Sequence, residues 1–373
     1  MVIEKPLVSV IIPAFNASRF IASTLDSVVN QTYRNLEILV VDDGSSDETP
    51  DIVCGFSKKD KRVHLLQKVN SGVADARNLG LQHSQGDFVA PIDADDIWMP
   101  NNIEKQVDCM IRSPVTVGMV YAWSFNIDEQ DNMTGGFHVS WWKGNVYLPF
   151  ICRNFVGNAS AVLIRRSCLE NVGGYDSSFR KQSAQGCEDL DLYLRIAASY
   201  QINVVPEFLV GYRQVGGSMS RNSQAMEKSQ QLVLRTVYDK SPDLFKKVKP
   251  WSMRNYYAYL ANQSHHSGQF EVSQEWLTKA LKEDFWMTIL GHDTYVLSIL
   301  NWLHSRLRRE EAPQSSSTFK SRFKTFLLSK RFLLCLAVVK ECFPARLYER
   351  FRIKQLLAHT PQALALAVGR NAL

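Results

Sequence analysis

Four short apolar runs, each closed by a polar loop, set the narrowest limit on what the first hundred residues can fold into. Leu7 to Pro13, Leu36 to Val41, Val63 to Leu66 and Gly86 to Ile92 are rich in β-branched residues and bounded by turn formers, the pattern of buried strands. Between them Ile21, Leu25, Val28 and Val29 recur at helical spacing. Ser45, Ser46 or Asp47 stands where a helix through Ile52 and Val53 would be capped, and Gly72 to Leu81 opens a third helix. Strands alternating with helices in this way predict an α/β fold with a mostly parallel sheet built from βαβ units. Right-handed crossovers then bring the ends of strands one, two and four to one edge. Three polar loops, at 13–16, 42–47 and 93–96, converge there, at the strand ends where open α/β sheets bind ligands.

The last of these loops carries the sharpest chemistry. In the run Asp93, Ala94, Asp95, Asp96, an extended backbone turns Asp93 and Asp95 to one face and Asp96 to the other. Two carboxylates on one face suit Mg2+ or Mn2+, which keep positions open for substrate phosphates; a solvated acidic turn is the plainer reading. No G-x-G-x-x-G or G-x-x-x-x-G-K-[ST] stretch occurs, so the grip on phosphate falls to a metal rather than a glycine loop. Further on, Val120 to Phe125 and Ala161 to Ile164 read as strands around a loop holding Trp141 and Trp142, which serve as core or as an acceptor platform, core being the expectation. Glu188 and Asp189 open a helix with an apolar face; acids there favour the helix dipole, so capping competes with catalysis as their purpose.

Composition bounds the rest. A chain of 373 residues with 45% apolar and 21% charged residues buries a real core and has room for more than one domain. Seven cysteines without a C-x-x-C argue against a disulfide framework or a zinc site and read as small buried hydrophobes. No signal peptide precedes the first strand, so the expectation is a cytoplasmic protein. Residues 1–220 hold 19 Lys and Arg against 25 Asp and Glu, whereas the remainder holds 24 against 12. The two parts therefore face different partners.

Taken together, Ser9 to Asn16, Val41 to Asp47, Ala76 to Gly80, Asp93 to Asp96, Gly173 to Asp176 and Glu188-Asp189 resemble the family-2 glycosyltransferases of GT-A fold, over residues 7 to about 220. The resemblance implies a Rossmann-like sheet flanked by helices and an inverting transfer of sugar from a nucleotide-diphosphate donor, usually a UDP-sugar. It implies that Pro13, Phe15 and Asn16 line the base and ribose pocket, that Asp43 accepts from the pyrimidine, and that Arg77 and Glu188 lie near the nucleotide or the donor sugar. It further implies that Asp93 and Asp95 contact ribose and metal, Asp95 being the metal ligand of choice with Mn2+ or Mg2+, and that Asp189 is the catalytic base. Inversion in one displacement needs one base and one cation to hold charge on the leaving diphosphate. Many relatives carry a histidine two residues after Tyr-Arg, near the diphosphate; here Tyr212-Arg213 is followed by Gln214 and Val215, which leaves the third protein contact to metal or phosphate open, with Ser218, Ser220 and Arg221 as candidates to replace it.

Three segments follow from this reading: a glycosyltransferase domain at 1–221, a helical region at 222–311 and a basic tail at 312–373. Tyr257 to Lys282 resembles one tetratricopeptide-like hairpin. Residues 306–354 carry 13 Lys and Arg against 4 Asp and Glu among scattered Phe and Leu, too interrupted to span a bilayer. An amphipathic segment on an anionic membrane and a helix packed on the protein are both open, with nucleic acid excluded as a partner. The expected acceptor is a hydroxyl of a polysaccharide, lipid-linked or protein-linked glycan. A sugar nucleotidyltransferase and a non-catalytic nucleotide-sugar-binding protein are the alternatives.

Overall fold

The computed structural model of the chain describes residues 5–215, 222–284, 288, 297–298 and 301. In chain order these form β1 (Val8–Ala14), α1 (Ile21–Val29), β2 (Leu36–Asp42), α2 (Thr49–Lys59), β3 (Val63–Gln67), α3 (Val73–His83), β4 (Phe88–Pro91) and β5 (Ile97–Trp98). Then come α4 (Asn102–Arg112), β6 (Val117–Ile127), β7 (Met133–His138), α5 (Tyr147–Cys152), β8 (Val162–Arg165), α6 (Arg166–Val172), α7 (Ser178–Lys181), α8 (Glu188–Ser199) and β9 (Gln201–Arg213). Helices α9 (Ser223–Lys240), α10 (Pro242–His266) and α11 (Phe270–Glu283) complete the described chain.

The chain divides into two compact units. The first, residues 1–147, 155–182 and 188–215, contains a sheet ordered β3-β2-β1-β4-β8-β6-β9-β5, with β7 paired to β6. Strands β3, β2, β1 and β4 run parallel, and every residue of β1 is buried, which is why the opening run is apolar on both faces. Beyond β4 the sheet is mixed: β8 pairs antiparallel with β4 and β6, whereas β9 lies parallel to β6. Helix α1 turns Ile21, Leu25 and Val28 inward. Helix α3 approaches β1 so closely that a methyl group on Gly80 would lie 2.6 Å from Ile11 Cγ2, a spacing only glycine allows.

The second unit holds 148–154, 183–187 and the described residues from 222 onward, so two short segments of the first two hundred residues belong with the helices. Helices α10 and α11 form an antiparallel hairpin in which Ser273 Oγ donates to Ala261 O at 2.7 Å and Tyr257 stacks on Trp276 at 5.6 Å. No helix among the described residues is long and apolar enough to cross a membrane. The basic tail at 312–373 lies outside the described residues. Cys152, Cys168 and Cys187 are buried as expected of small hydrophobes, but Cys54 is exposed. Trp141 is 47% exposed, not core, and meets Trp123 edge-on at 4.7 Å.

Candidate active site

The strand ends fix the frame. Asp43 N donates to Ala14 O at 2.8 Å and Ile92 N to Ile11 O at 3.0 Å, so the loops after β2 and β4 flank the end of β1. Pro13 is buried in register with Val41, and its contribution is backbone; Phe15, beyond it, is 52% exposed. Asn16 has a positive φ of 48°, and its Oδ1 accepts from Ser46 N at 2.8 Å, which draws the first two loops together.

Asp43 is a structural anchor before it is anything else. Its carboxylate accepts from Ser71 N at 2.9 Å, Gly72 N at 2.7 Å and Lys68 Nζ at 2.8 Å, and so shapes the loop 68–72 that leads into α3. Oδ2 receives one of these three bonds and has capacity for a second donor.

The acidic run is a tight turn rather than the extended segment expected, closed by Asp96 N to Asp93 O at 3.1 Å. Asp96 does point away from the other two: it is fully buried, accepting from Arg213 N at 2.8 Å and from Ser160 Oγ. Burial and the neighbouring Asp95 and Asp93 push its carboxyl well above the usual range. Ser160 Oγ also accepts from Asp93 N at 3.0 Å, and Arg213 Nε donates to Asp95 O at 2.5 Å. Arg213 then reaches Asp128 O at 2.7 Å and pairs with Asp131, so one buried guanidinium braces the acidic turn against the β6–β7 turn. This is the work of the arginine in the Tyr212-Arg213 pair, a role that sequence alone leaves blank. Val215 ends the described stretch; Ser218, Ser220 and Arg221 lie outside the described residues.

Arg77, on the buried side of α3, joins the two halves of the site. Its Nη2 donates to Asp93 Oδ1 at 2.5 Å and its Nη1 to Glu188 Oε1 at 3.0 Å, with the Tyr175 ring 5.2 Å from the guanidinium carbon. Burial opposes its charge, but Asp93 and Glu188 hold it protonated. Such a guanidinium leaves the acidic turn and the start of α8 within the reach of one side chain. Breaking a buried pair of this kind costs about 3–5 kcal/mol. Asp189, next in the chain, accepts from Leu190 N at 2.7 Å. Burial, with repulsion from Glu188, pushes its carboxyl up to about 7 against the pull of Arg77.

Asp93 and Glu188 pair with Arg77, Asp189 feels its charge, and Asp95 stands between Asp93 and Arg213, so four carboxylates share two arginines and negative charge is in excess. Burial and repulsion from Asp93 push the Asp95 carboxyl up to about 6. A divalent cation relieves that repulsion. Among the described residues no group of three or more His, Cys, Asp or Glu side chains is arranged as a metal cage. Two carboxylates with the remaining positions left to phosphate oxygens and water fit Mg2+ or Mn2+, which dehydrate reluctantly and favour such open sites. Of the residues expected from sequence, Arg77, Asp93, Asp95, Glu188 and Asp189 come together. Pro13, Phe15, Asn16 and Asp43 form the adjoining lip. Ser160 and Lys68 carry no sequence signal of their role.

Comparison with known proteins follows the same outline. Residues 9–169 match the family model described as glycosyl transferase family 2. A putative teichuronic acid biosynthesis glycosyltransferase of Bacillus subtilis (strain 168), TuaG, is 30% identical over 238 residues, covering 62% of this chain and 89% of that protein. The Escherichia coli UDP-Glc:alpha-D-GlcNAc-diphosphoundecaprenol beta-1,3-glucosyltransferase WfgD is 39% identical over 132 residues, covering 35% of this chain and half (50%) of its own length. Among solved structures, S. aureus TarS 1-349 in complex with UDP-GlcNAc shares the fold, with a TM-score of 0.52 at 14% identity over 83% of this chain and 93% of that one. With one curated relative matched over most of its length and the family model seated on the strands that deliver the acidic turn, this chain belongs to the family-2 glycosyltransferases.

Proposed function

We propose that this glycosyltransferase transfers a sugar, with inversion, from a UDP-sugar to a hydroxyl of a surface-polysaccharide or lipid-linked glycan. The observation that carries the reading is Arg77, which ties Asp93 on the donor side to Glu188 beside Asp189. Asp189 takes the proton of the acceptor hydroxyl as the new glycosidic bond forms, and its raised carboxyl is suited to accept a proton near neutrality. Asp95 and Asp93 would hold Mg2+ or Mn2+, which when bound supplies positive charge for the leaving diphosphate. Arg77 keeps Asp93 in place, and Arg213 with Ser160 fixes the turn from behind. Phe15 offers an exposed aromatic face for a base, and Asp43 Oδ2 an acceptor for a pyrimidine N–H that adenine does not present at that position. The names of WfgD and of the TarS complex support a UDP-sugar donor, and that of WfgD supports a diphosphate-linked lipid acceptor. The basic segment 306–354 would hold the enzyme at anionic membranes, which vesicle sedimentation of the full chain tests.

Calorimetric titration of UDP and ADP in Mn2+ tests the reading directly. UDP is expected to bind more tightly than ADP and to lose affinity when the metal is chelated; equal affinities would rule out the pyrimidine assignment.

A further inference from the structure

Arg180, in the last turn of α7, takes no part in the ion pairs around Arg77. Its Nη2 donates to Asn70 Oδ1 at 2.5 Å, and its side chain lies flat across Gly72. A methyl group on Gly72 would sit 2.8 Å from Arg180 Cδ, and Gly72 has a φ of +103°, so only glycine permits this seat. The loop beneath is rigid, because Asp43 holds the N–H groups of Ser71 and Gly72 and the Lys68 ammonium.

The charges around the site single this arginine out. Lys68 is paired with Asp43, Arg77 with Asp93 and Glu188, and Arg213 with Asp131. Arg180 is exposed, and its partner is a neutral amide; among the described residues it forms no ion pair. Fixing a guanidinium on a neutral anchor leaves its remaining N–H groups and its full charge for a ligand. A cationic fork held in this way is complementary to an anion.

Its place along the chain indicates which anion. Loop 70–72 begins at the Asp43 carboxylate and runs into α3, where Arg77, five residues past Gly72, holds Asp93. Arg180 thus lies against Gly72, which stands between the loop held by Asp43 and the helix whose Arg77 holds Asp93. We propose that Arg180 grips a phosphate of the donor's diphosphate. The proposal rests on the reading of the site as a nucleotide-sugar site.

Arg180→Gln tests it, with UDP, UMP and uridine titrated against parent and variant in Mn2+. The substituted side chain is exposed, so the melting temperature should hold. Loss of a charge-assisted contact should weaken UDP binding by about 10- to 100-fold and leave uridine unchanged. Arg180→Lys, which keeps the charge without the fork, should fall between the two. If UDP binds the Gln variant as tightly as the parent, or if uridine weakens as much as UDP, the assignment is overturned. Failure of the parent itself to bind any nucleoside diphosphate would instead remove the functional reading on which it rests.

Discussion

Replacing Asp189 by Asn separates catalysis from helix capping in one protein. The amide keeps an oxygen for Leu190 N, so the first turn of α8 retains its hydrogen bond. What it loses is the basic carboxylate. Sugar transfer should fall by about 10²- to 10⁴-fold, the usual worth of a positioned general base, while UDP and metal affinity stay near the parent values. With its carboxyl pushed up to about 7, Asp189 in the parent is ionised to roughly one-tenth at pH 6 and nine-tenths at pH 8. Parent kcat/KM should therefore rise about tenfold between those pH values, and the residual activity of the variant should be flat.

Stability moves the other way. A carboxyl whose pKa is raised on folding favours the native state below its unfolded value near 3.8, and that contribution is lost as pH climbs toward 7. Asn carries no such dependence. The variant should thus melt higher than the parent at pH 8, by a few kcal/mol at most in free energy, and match it near pH 4. Calorimetric melting and a pH-rate series on the same two proteins decide the matter. Undiminished transfer, or a variant profile with the parent's rise, would refute the assignment of Asp189 as base.

Two further outcomes follow from the same geometry. Asp95→Asn removes the charge that attracts the cation, so metal-dependent UDP binding and turnover should fall together; titrations in Mn2+ and in chelator should converge, and an unchanged metal dependence would exclude Asp95 as a ligand. Asp43→Ala orphans the N–H groups of Ser71 and Gly72 and strips Lys68 of its counter-ion, which should cost about 2–5 kcal/mol in chemical denaturation, with Asp43→Asn recovering part of it.

The parallel half of the fold was legible because its strands are buried on both faces and therefore read as continuous apolar runs. β1, β2 and β3 fall within a residue of their expected limits. β7, with Gly135 and Gly136 in its middle and no apolar alternation, gave no such signal, and two-residue β5 is too short for any periodicity. The carboxylates of the site were legible by type and order. Their geometry was not, because it depends on polar contacts far apart in sequence: Ser160 to Asp93 and Asp96, Arg77 to Glu188, Arg213 to Asp95. Local patterns report propensity and burial, and none of these bonds is local. For that reason the acidic run was expected as an extended strand end and is instead a turn pinned from behind.

The Arg213 brace also bears on the order in which the enzyme comes into being. Its contact with Asp96 closes a stretch of 117 residues, and closing a loop of that length costs roughly 4 kcal/mol of chain entropy. The neighbouring β5 pairs with β9 alone among the described strands. A nascent chain that has just passed residue 169 already holds everything the family model matches, yet its acidic turn has neither brace nor partner strand. The acidic turn is thus one of the last parts of the domain to be fixed during synthesis, when β9 pairs with β6 and braces a turn made a hundred residues earlier.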